Sequence, residues 1–145
     1  MPIIQGTGSF SVGRDCQLVL MGPFGRVDIP NVTHFDCKQD TSPIKVDRLD
    51  GIQMNAILPK GWNFTIEAER AGPDLDELFA AIEESWYGTG FIAVSTLYQY
   101  VTEPNGSSAF QYTNGALRYD NPGDWKSDAS VKQRLTGMAD RRIIL

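Results

Sequence analysis

Two hydrophobic periods meet near the middle of the chain. From Trp62 onward apolar and polar residues alternate, which is the period-two pattern of a half-buried strand, and its apolar face carries Trp62, Phe64, Ile66 and Ala68. After Pro73 the period becomes that of a helix, with an apolar stripe of Leu75, Leu78, Phe79, Ile82 and Trp86. Pro73 suits a first helical turn, and Gly88 can adopt the left-handed conformation that ends a helix. The pattern predicts one amphipathic helix lying against strands.

Alternation and turn residues predict strands on both sides of this centre. On the N-terminal side they predict a hairpin of two strands at 17–21 and 26–29. They also predict strands at 32–38 and 44–47 around a polar turn at 39–43, and a strand at 52–58 after an Asp-Gly turn. This middle region could be core sheet or a long protruding hairpin. After the helix they predict strands at 91–102 and 109–119 joined by an Asn-Gly turn, and a final strand at 129–136. Residues 141–145 are left without a predicted partner.

These elements predict a mainly β fold with one α-helix: two packed antiparallel sheets, or a small β-barrel, of about seven or eight strands flanked by the helix. The 145 residues suit a single domain over residues 1–145, in which the Gly- and Ser-rich residues 1–16 form an extended arm. The strand over 91–102 is apolar on both faces, as in a strand covered on both sides. Long strands with unpaired edges are typical of assembly subunits.

Composition and charge exclude several classes of protein. A hydrophobic content of 41% with 21% charged residues indicates a folded globular chain. The net charge of −5 argues against binding to a phosphate backbone, and no Lys or Arg lies between Ala71 and Leu117, so the acidity surrounds the helix. The N-terminus has neither a basic start nor an apolar signal core, and no apolar run reaches the ~20 residues of a membrane span. We expect synthesis in a cytosol and no membrane span.

The residues suited to catalysis are few. His34 is the only histidine and has no nucleophile turn near it, and phosphate and calcium loops are absent, so we expect no enzyme, no cofactor and no metal site. Cys16 and Cys37 do not match zinc spacing. They are either two buried thiols or a disulfide, within or between subunits, formed after the protein leaves the cytosol.

A series of short motifs then follows in one order along the chain. It comprises Gly-Pro-Phe-Gly at 22–25, Ile-Pro-Asn-Val-Thr-His-Phe at 29–35, Leu-Pro-Lys-Gly-Trp at 58–62, Leu-Asp-Glu-Leu-Phe at 75–79, Glu-Pro-Asn-Gly at 103–106 and Asp-Trp-Lys at 124–126. In this order, from about Cys16 to Arg142, the chain resembles the tail tube proteins of contractile-tailed (myovirus-type) bacteriophages.

The resemblance implies six-subunit rings that stack into a hollow tube, conduct the genome into the host and are surrounded by a contractile sheath. The implied partners are the chain itself, sheath protein, tail terminator and baseplate proteins, and, transiently in the lumen, tape measure protein and DNA. The implied location is the virion tail, after assembly in the host cytoplasm. A lumen that passes DNA without holding it should be acidic or neutral.

Three sets of residues are candidates for contacts in such a tube. The polar face of the central strand is the candidate lumen surface, formed by Asn63, Thr65, Glu67 and Glu69. The acidic side of the helix is the candidate sheath surface, formed by Asp76, Glu77, Glu83 and Glu84. The strand predicted over 91–102 contains the candidate inter-subunit contacts Tyr98 and Tyr100.

Two other interpretations stay open at this point. A secretion-system-type tube protein would have the same ring architecture with different partners. A monomeric β-barrel that binds a small apolar ligand belongs to a different class, and it would remain a 16.1 kDa particle in solution.

Overall fold

The structure, a computed structural model, describes residues 16–104 and 106–145. The arm predicted over residues 1–16 therefore lies outside the described residues, except for Cys16, which begins the first strand. The described elements are β1 Cys16–Gly22, β2 Gly25–Asp28, β3 Val32–Asp47, β4 Gln53–Glu69, α1 Asp74–Thr89, β5 Ser95–Glu103, β6 Gly106–Asn121, β7 Lys132–Ala139 and β8 Arg141–Ile144. The prediction of a mainly β chain with one helix is confirmed for the described residues.

The strands form one continuous antiparallel sheet in the order β2-β1-β5-β6-β7-β4-β3, with β8 paired to β6. The long strand β6 belongs to both halves of this sheet. Its residues 106–115 pair with β5 in one half, and its residues 116–121 pair with β7 in the other half. The path does not close into a barrel, because its end strands β2 and β3 are not paired with each other.

The two halves pack face to face around Tyr112. Its ring lies 6.1 to 6.3 Å, between centroids, from the rings of Phe35, Trp62 and Phe64, which belong to β3 and β4. The buried cluster draws on both halves and on the helix, and includes Leu18, Leu20, Phe64, Ile66, Leu75, Leu78, Leu97 and Leu135. The alternation predicted for the central strand is confirmed, since Phe64, Ile66 and Ala68 are buried.

Helix α1 covers the open side between the two halves. Leu75 and Leu78 are buried, and the ring of Phe79 stacks on Tyr119 of β6 at 4.3 Å between centroids. The last member of the predicted stripe, Trp86, is 53% exposed, so the C-terminal end of the helix is not covered by the sheet. The helix also ends later than predicted, since the left-handed residue that caps it is Gly90 rather than Gly88. Gly90 has a φ of +73° and its N–H donates to the carbonyl of Trp86 at 2.9 Å.

Strands β3 and β4 form one long hairpin. The predicted turn over residues 39–43 is wrong, because these residues continue β3, with Thr41 opposite Pro59 and Pro43 opposite Ile57. Pro43 is tolerated there since β3 is the end strand of the sheet. The predicted Asp-Gly turn is confirmed, because Gly51, with a φ of +86°, donates its N–H to the carbonyl of Arg48 at 3.0 Å.

A bulge on β4 changes which face of the hairpin is apolar. Gln39 pairs with Trp62 and Thr41 pairs with Pro59, so β4 has one more residue than β3 between these two pairs. Gly61 lies at this bulge and has a φ of +110°. An extra residue moves the following side chains to the other face of the strand. Met54, Ala56 and Leu58 therefore lie on the same side of the sheet as the polar residues of β4, opposite to Trp62.

Two further expectations need correction. Residues 141–145 have a partner after all, because β8 pairs with β6, and the guanidinium of Arg142 lies 3.8 Å from the ring centroid of Phe110. The strand predicted from residue 91 begins only at Ser95, and it is not covered on both sides within the chain, since Phe91, Ile92 and Tyr100 are exposed.

Candidate assembly surfaces

The candidate lumen residues Asn63, Thr65, Glu67 and Glu69 lie on the outer face of β4, away from the core. Basic residues of β7 face two of them directly: Arg134 is the register partner of Glu67, and Lys132 is the partner of Glu69. Opposite charges in such cross-strand positions stabilise a sheet by ~0.2–1 kcal/mol per pair. The two glutamates are therefore half of a mixed-charge surface.

The outer face of β3, β4, β7 and β6 is neutral in total. Its five acids are Asp36, Asp40, Glu67, Glu69 and Asp120, and its five bases are Lys38, Lys60, Arg118, Lys132 and Arg134, so 5 − 5 = 0. Asp120 is shared, since its carboxylate lies 3.1 Å from Arg118 Nε and 3.7 Å from Arg134 Nε. Sequence reasoning missed Lys132 and Arg134 because they lie about 65 residues from Glu67 in the chain. The alternation of Lys132 and Arg134 with Gln133 and Leu135 could have indicated that both bases lie on the outer face of their strand.

Asp76 does not project outward as the helical pattern predicted. Its carboxylate accepts hydrogen bonds from the guanidinium of Arg70 and from the hydroxyl of Tyr119 at 2.8 Å. Gln133 Nε2 in turn donates to the Tyr119 hydroxyl oxygen at 2.9 Å. The hydrogen bond from Arg70 is the main reason why the pKa of Asp76 is lowered, and burial beside Asp76 raises the pKa of the Tyr119 hydroxyl. This network holds α1 to β6 and β7.

The remaining candidate sheath residues are free of such contacts. Glu77, Glu83 and Glu84 are exposed, and they form no ion pair within the described part of the chain. Helix α1 has three acids in its first turn and no base in its last turn. The three glutamates therefore form an uncompensated negative surface.

Tyr98 and Tyr100 lie on the outer face of β5, on the other half of the sheet. Their rings are parallel within 9° and 6.2 Å apart between centroids, and Gln111 Nε2 donates to the Tyr98 hydroxyl oxygen at 3.3 Å. Tyr100 is 41% exposed. The pair is a flat aromatic surface held in place by the sheet and open to a neighbour.

Both cysteines are free, half-buried thiols. Gln99 Nε2 donates to the sulfur of Cys16 at 3.4 Å, and burial raises the pKa of both thiols. A raised pKa lowers the thiolate fraction that would attack a disulfide. The structure contains no bridge between the two, and a bridge between subunits stays a prediction.

Residues 16–104 and 106–145 contain no cluster of His, Cys, Asp or Glu that could hold a metal ion. Among the same residues, no helix is long and apolar enough to cross a bilayer. His34 is exposed on β3, at the register position of Glu67.

Two exposed apolar surfaces complete the description. The distal hairpin, residues 41–59, has no buried residue, and one of its faces carries Ile44, Val46, Met54, Ala56 and Leu58. The helix-end patch consists of Trp86, Tyr87, Phe91 and Ile92, each at least half exposed. Monomeric proteins seldom leave large contiguous apolar surfaces in water, so both are candidate contact surfaces.

Comparison with solved structures shows that this fold is known in contractile injection particles. The chain is similar to one in the anti-feeding prophage tube terminating cap, with a TM-score of 0.65 and 16% identity over 99% of this chain and 95% of that one. It is also similar to one in the anti-feeding prophage baseplate, with a TM-score of 0.62 and 9% identity over 96% and 97% of the two chains.

A third similar chain belongs to the sheath-tube complex of an extracellular contractile injection system, with a TM-score of 0.61 and 14% identity over 89% and 88%. No protein-family model matches the chain, and no curated protein matches it. At these identities the likeness shows the fold alone. The fold resemblance to contractile tail components predicted from the sequence is confirmed.

Proposed function

We propose that the chain is a non-enzymatic structural subunit of a contractile tail, a single tail-tube domain over residues 1–145 whose copies form hexameric rings that stack into a hollow tube. One observation carries the proposal: end strands β2 and β3 of an otherwise continuous sheet are paired to no further described strand. Open strand edges pair readily with another chain, and a ring of subunits would cover them.

In this proposal the neutral outer face of β3, β4, β7 and β6 lines the lumen. A surface with equal numbers of acids and bases offers DNA little net attraction, which suits a channel for tape measure protein and genome. The acidic side of α1 faces the sheath, and the ends of the tube meet terminator and baseplate proteins. The particle would be assembled in the host cytoplasm and would function as part of the virion tail.

Self-assembly of purified protein tests the proposal. We expect rings or tubes with sixfold symmetry in negative-stain images, and light scattering should give a mass of six or more subunits. A particle of 16.1 kDa at all concentrations would contradict it and would favour a monomeric ligand-binding protein.

A substitution in β5 separates assembly from folding. Tyr100→Asp should weaken ring formation because it puts a charge into the exposed aromatic surface, while thermal unfolding of the subunit changes little. Thr102→Asp is the matched control, since Thr102 is exposed on the same face of the same strand. Equal effects of the two substitutions on assembly would exclude Tyr100 from a subunit contact.

A second candidate is a tube subunit of a contractile injection system that carries no genome. It is favoured by the sources of the compared structures, which include an extracellular contractile injection system and an anti-feeding prophage. Native particles distinguish the two, because a phage tail is attached to a DNA-filled head and an injection system is not.

A further inference from the structure

We propose that a groove between β2 and α1 binds an extended, basic segment of another protein, which adds to the sheet as a further strand beside β2. This edge groove has a volume of about 500 Å³. It lies between Val27 and Asp28 of β2 and a stripe of α1 formed by Asp74, Glu77, Leu78 and Ala81. The site goes beyond the proposed tube and does not depend on it, because all of its residues belong to one subunit.

The β2 edge of this groove has free backbone groups. The N–H of Ile29, just after β2, donates to the carbonyl of Leu18 at 3.3 Å, and Val27 lies two residues earlier in the same register. Hydrogen-bonded pairs alternate along antiparallel strands, so Val27 also directs its N–H and C=O toward β1. Arg26 and Asp28 therefore direct theirs away from β1, where no further described strand is paired. Such an edge can accept an extended segment.

The floor of the edge groove is apolar and is formed by both elements. Leu78 is buried, Val27 is half-buried, and Ala81 lies one turn further along the helix. Side chains in register on neighbouring strands point to the same face of a sheet. The residue of an added strand that lies opposite Val27 would therefore point toward this floor, where an apolar side chain would be removed from water.

The walls of the groove are acidic. Asp74 and Glu77 are exposed and form no ion pair within the described residues, while the carboxylate of Asp28 lies 2.8 Å from Arg26 Nε. These four side chains sum to 1 − 3 = −2. The positive end of the helix dipole offsets only about half a charge. The groove therefore favours a partner with Lys or Arg side chains.

The charge of the whole chain favours another protein over a second copy as the occupant. The net charge is −5, so two copies repel each other at long range, whereas a basic partner is attracted. In an added strand every second side chain points into the groove. A Lys on either side of the apolar residue can lay its stem along the floor and bring its ammonium group to the carboxylates of Asp74 and Glu77.

Peptide binding to the full chain tests the proposal. The probe is a fluorescein-labelled peptide, Thr-Lys-Thr-Val-Thr-Lys-Thr, whose alternate Lys, Val and Lys residues suit the groove, and fluorescence anisotropy measures its affinity. We expect saturable binding that weakens with added salt. The control peptide has Glu in place of both Lys residues and should not bind. Absence of saturable binding at millimolar concentration, or equal binding of the two peptides, would overturn the proposal.

Substitutions on two sides of the helix locate the site. Asp74→Asn with Glu77→Gln should weaken peptide binding by about fivefold, because two ion pairs are lost at exposed positions. Ala81→Arg should abolish binding, because it places a long cationic side chain in the groove. Glu83→Gln with Glu84→Gln is the matched control, since it removes the same charge from α1 outside the groove. Equal losses in the two double variants would overturn the proposal.

Methylation of the peptide backbone distinguishes strand addition from other modes of binding. An added strand directs alternate N–H groups toward β2 and the remaining N–H groups away from it. Methyl groups on one alternate set of peptide nitrogens should therefore abolish binding, and methyl groups on the other set should preserve it. Equal effects of the two sets would overturn the proposal.

The outcomes separate the edge groove from the proposed tube. Rings or tubes whose subunits do not bind the peptide would refute the groove and leave the tube subunit intact. Peptide binding by a chain that never assembles would support the groove and refute the tube. Self-association of the protein alone that Ala81→Arg abolishes would make a second copy the occupant and overturn the proposal.

Discussion

Asp76 joins the helix to the sheet through the side chains of Arg70 and Tyr119. Its pKa is lowered chiefly by the hydrogen bond from Arg70, so the folded state holds this carboxyl ionised more firmly than the unfolded state does. The resulting stability is complete above the ordinary carboxyl pKa of about 3.9 and is lost as the pH falls through the lowered folded pKa. The network therefore contributes at neutral pH and fails in acid.

We predict that Asp76→Asn lowers the free energy of unfolding by about 1 kcal/mol at pH 7, because a charged acceptor is lost at a partly exposed site. The difference from wild type should shrink as the pH falls below about 4. Urea unfolding at several pH values measures both effects. Glu77→Gln is the control, since Glu77 is an exposed acid of the same helical turn, and a loss of stability as large in that variant would contradict the role of Asp76.

Gly137 makes room for the buried ring of Phe64. A methyl group at Gly137 would lie 2.7 Å from Cε2 of Phe64 and 3.0 Å from the carbonyl oxygen of Ala116. We predict that Gly137→Ala costs ~1–3 kcal/mol of unfolding free energy, because the buried ring of Phe64 would have to shift within the core. Gly72→Ala is the control, since nothing lies within 4 Å of the added methyl group. Equal thermal unfolding of the two variants would contradict this packing.

Single residues of this kind could not be predicted from periodicity. The helical pattern placed Asp76 on the outer side, and its actual partner Tyr119 is 43 residues away in the chain. The central strand, by contrast, was predictable because one buried face dictates a strict alternation. Local pattern determines which face is apolar, and long-range contacts determine which polar groups are drawn inward.

At the scale of elements, the β3–β4 hairpin shows where pattern reading fails. Polar residues 39–43 with Pro43 look like a turn, but an end strand tolerates both polar side chains and a missing N–H. The bulge at Gly61 then reverses the faces, which simple alternation from Met54 to Trp62 does not reveal. Likewise β8 was missed because its partner β6 was already assigned to β5.

The charged residues that face each other on β4 and β7 lead to a prediction about the stability of the sheet. Glu67→Lys with Glu69→Lys changes the outer face from 0 to +4, since two acids become bases opposite Arg134 and Lys132. We predict a lower midpoint of thermal unfolding, because like charges in cross-strand positions are destabilising. In the proposed tube the same change should slow DNA passage by adding attraction for phosphate.

The compensating variant adds Lys132→Glu and Arg134→Glu to the first two changes. It restores opposite charges in both register pairs and returns the face to neutrality, so thermal stability should recover in part, since Arg134→Glu also removes the ion pair with Asp120. Recovery of DNA passage would show that net charge, rather than the identity of the glutamates, matters in the lumen. A quadruple variant no more stable than the double variant would contradict the pairing.

In the whole molecule, the surfaces that are candidates for contacts lie on separate elements. The outer sheet face is neutral, the side of α1 is acidic, and the hairpin and helix-end patch are apolar. In the proposed tube, these distinct surfaces would serve the lumen, the sheath and the neighbouring subunits. The order of motifs along the chain predicted the fold, but the two apolar surfaces became visible only once the bulge and the helix end were located.

The acidic side of α1 gives the last prediction. Glu77, Glu83 and Glu84 are exposed and have no ion partner among the described residues, so in the proposed tube they can meet a basic surface on the sheath. Exposed ion pairs are worth only ~0.2–1 kcal/mol each and weaken with salt, but they add up along a tube of many subunits. Changing all three to Gln should leave tube formation intact and prevent sheath polymerisation on the tube. A control with Asp36→Asn, Glu67→Gln and Glu69→Gln removes the same charge from the opposite surface and should still accept sheath. Sheath that assembles normally on the helix variant, at low and high salt alike, would exclude α1 as the sheath surface.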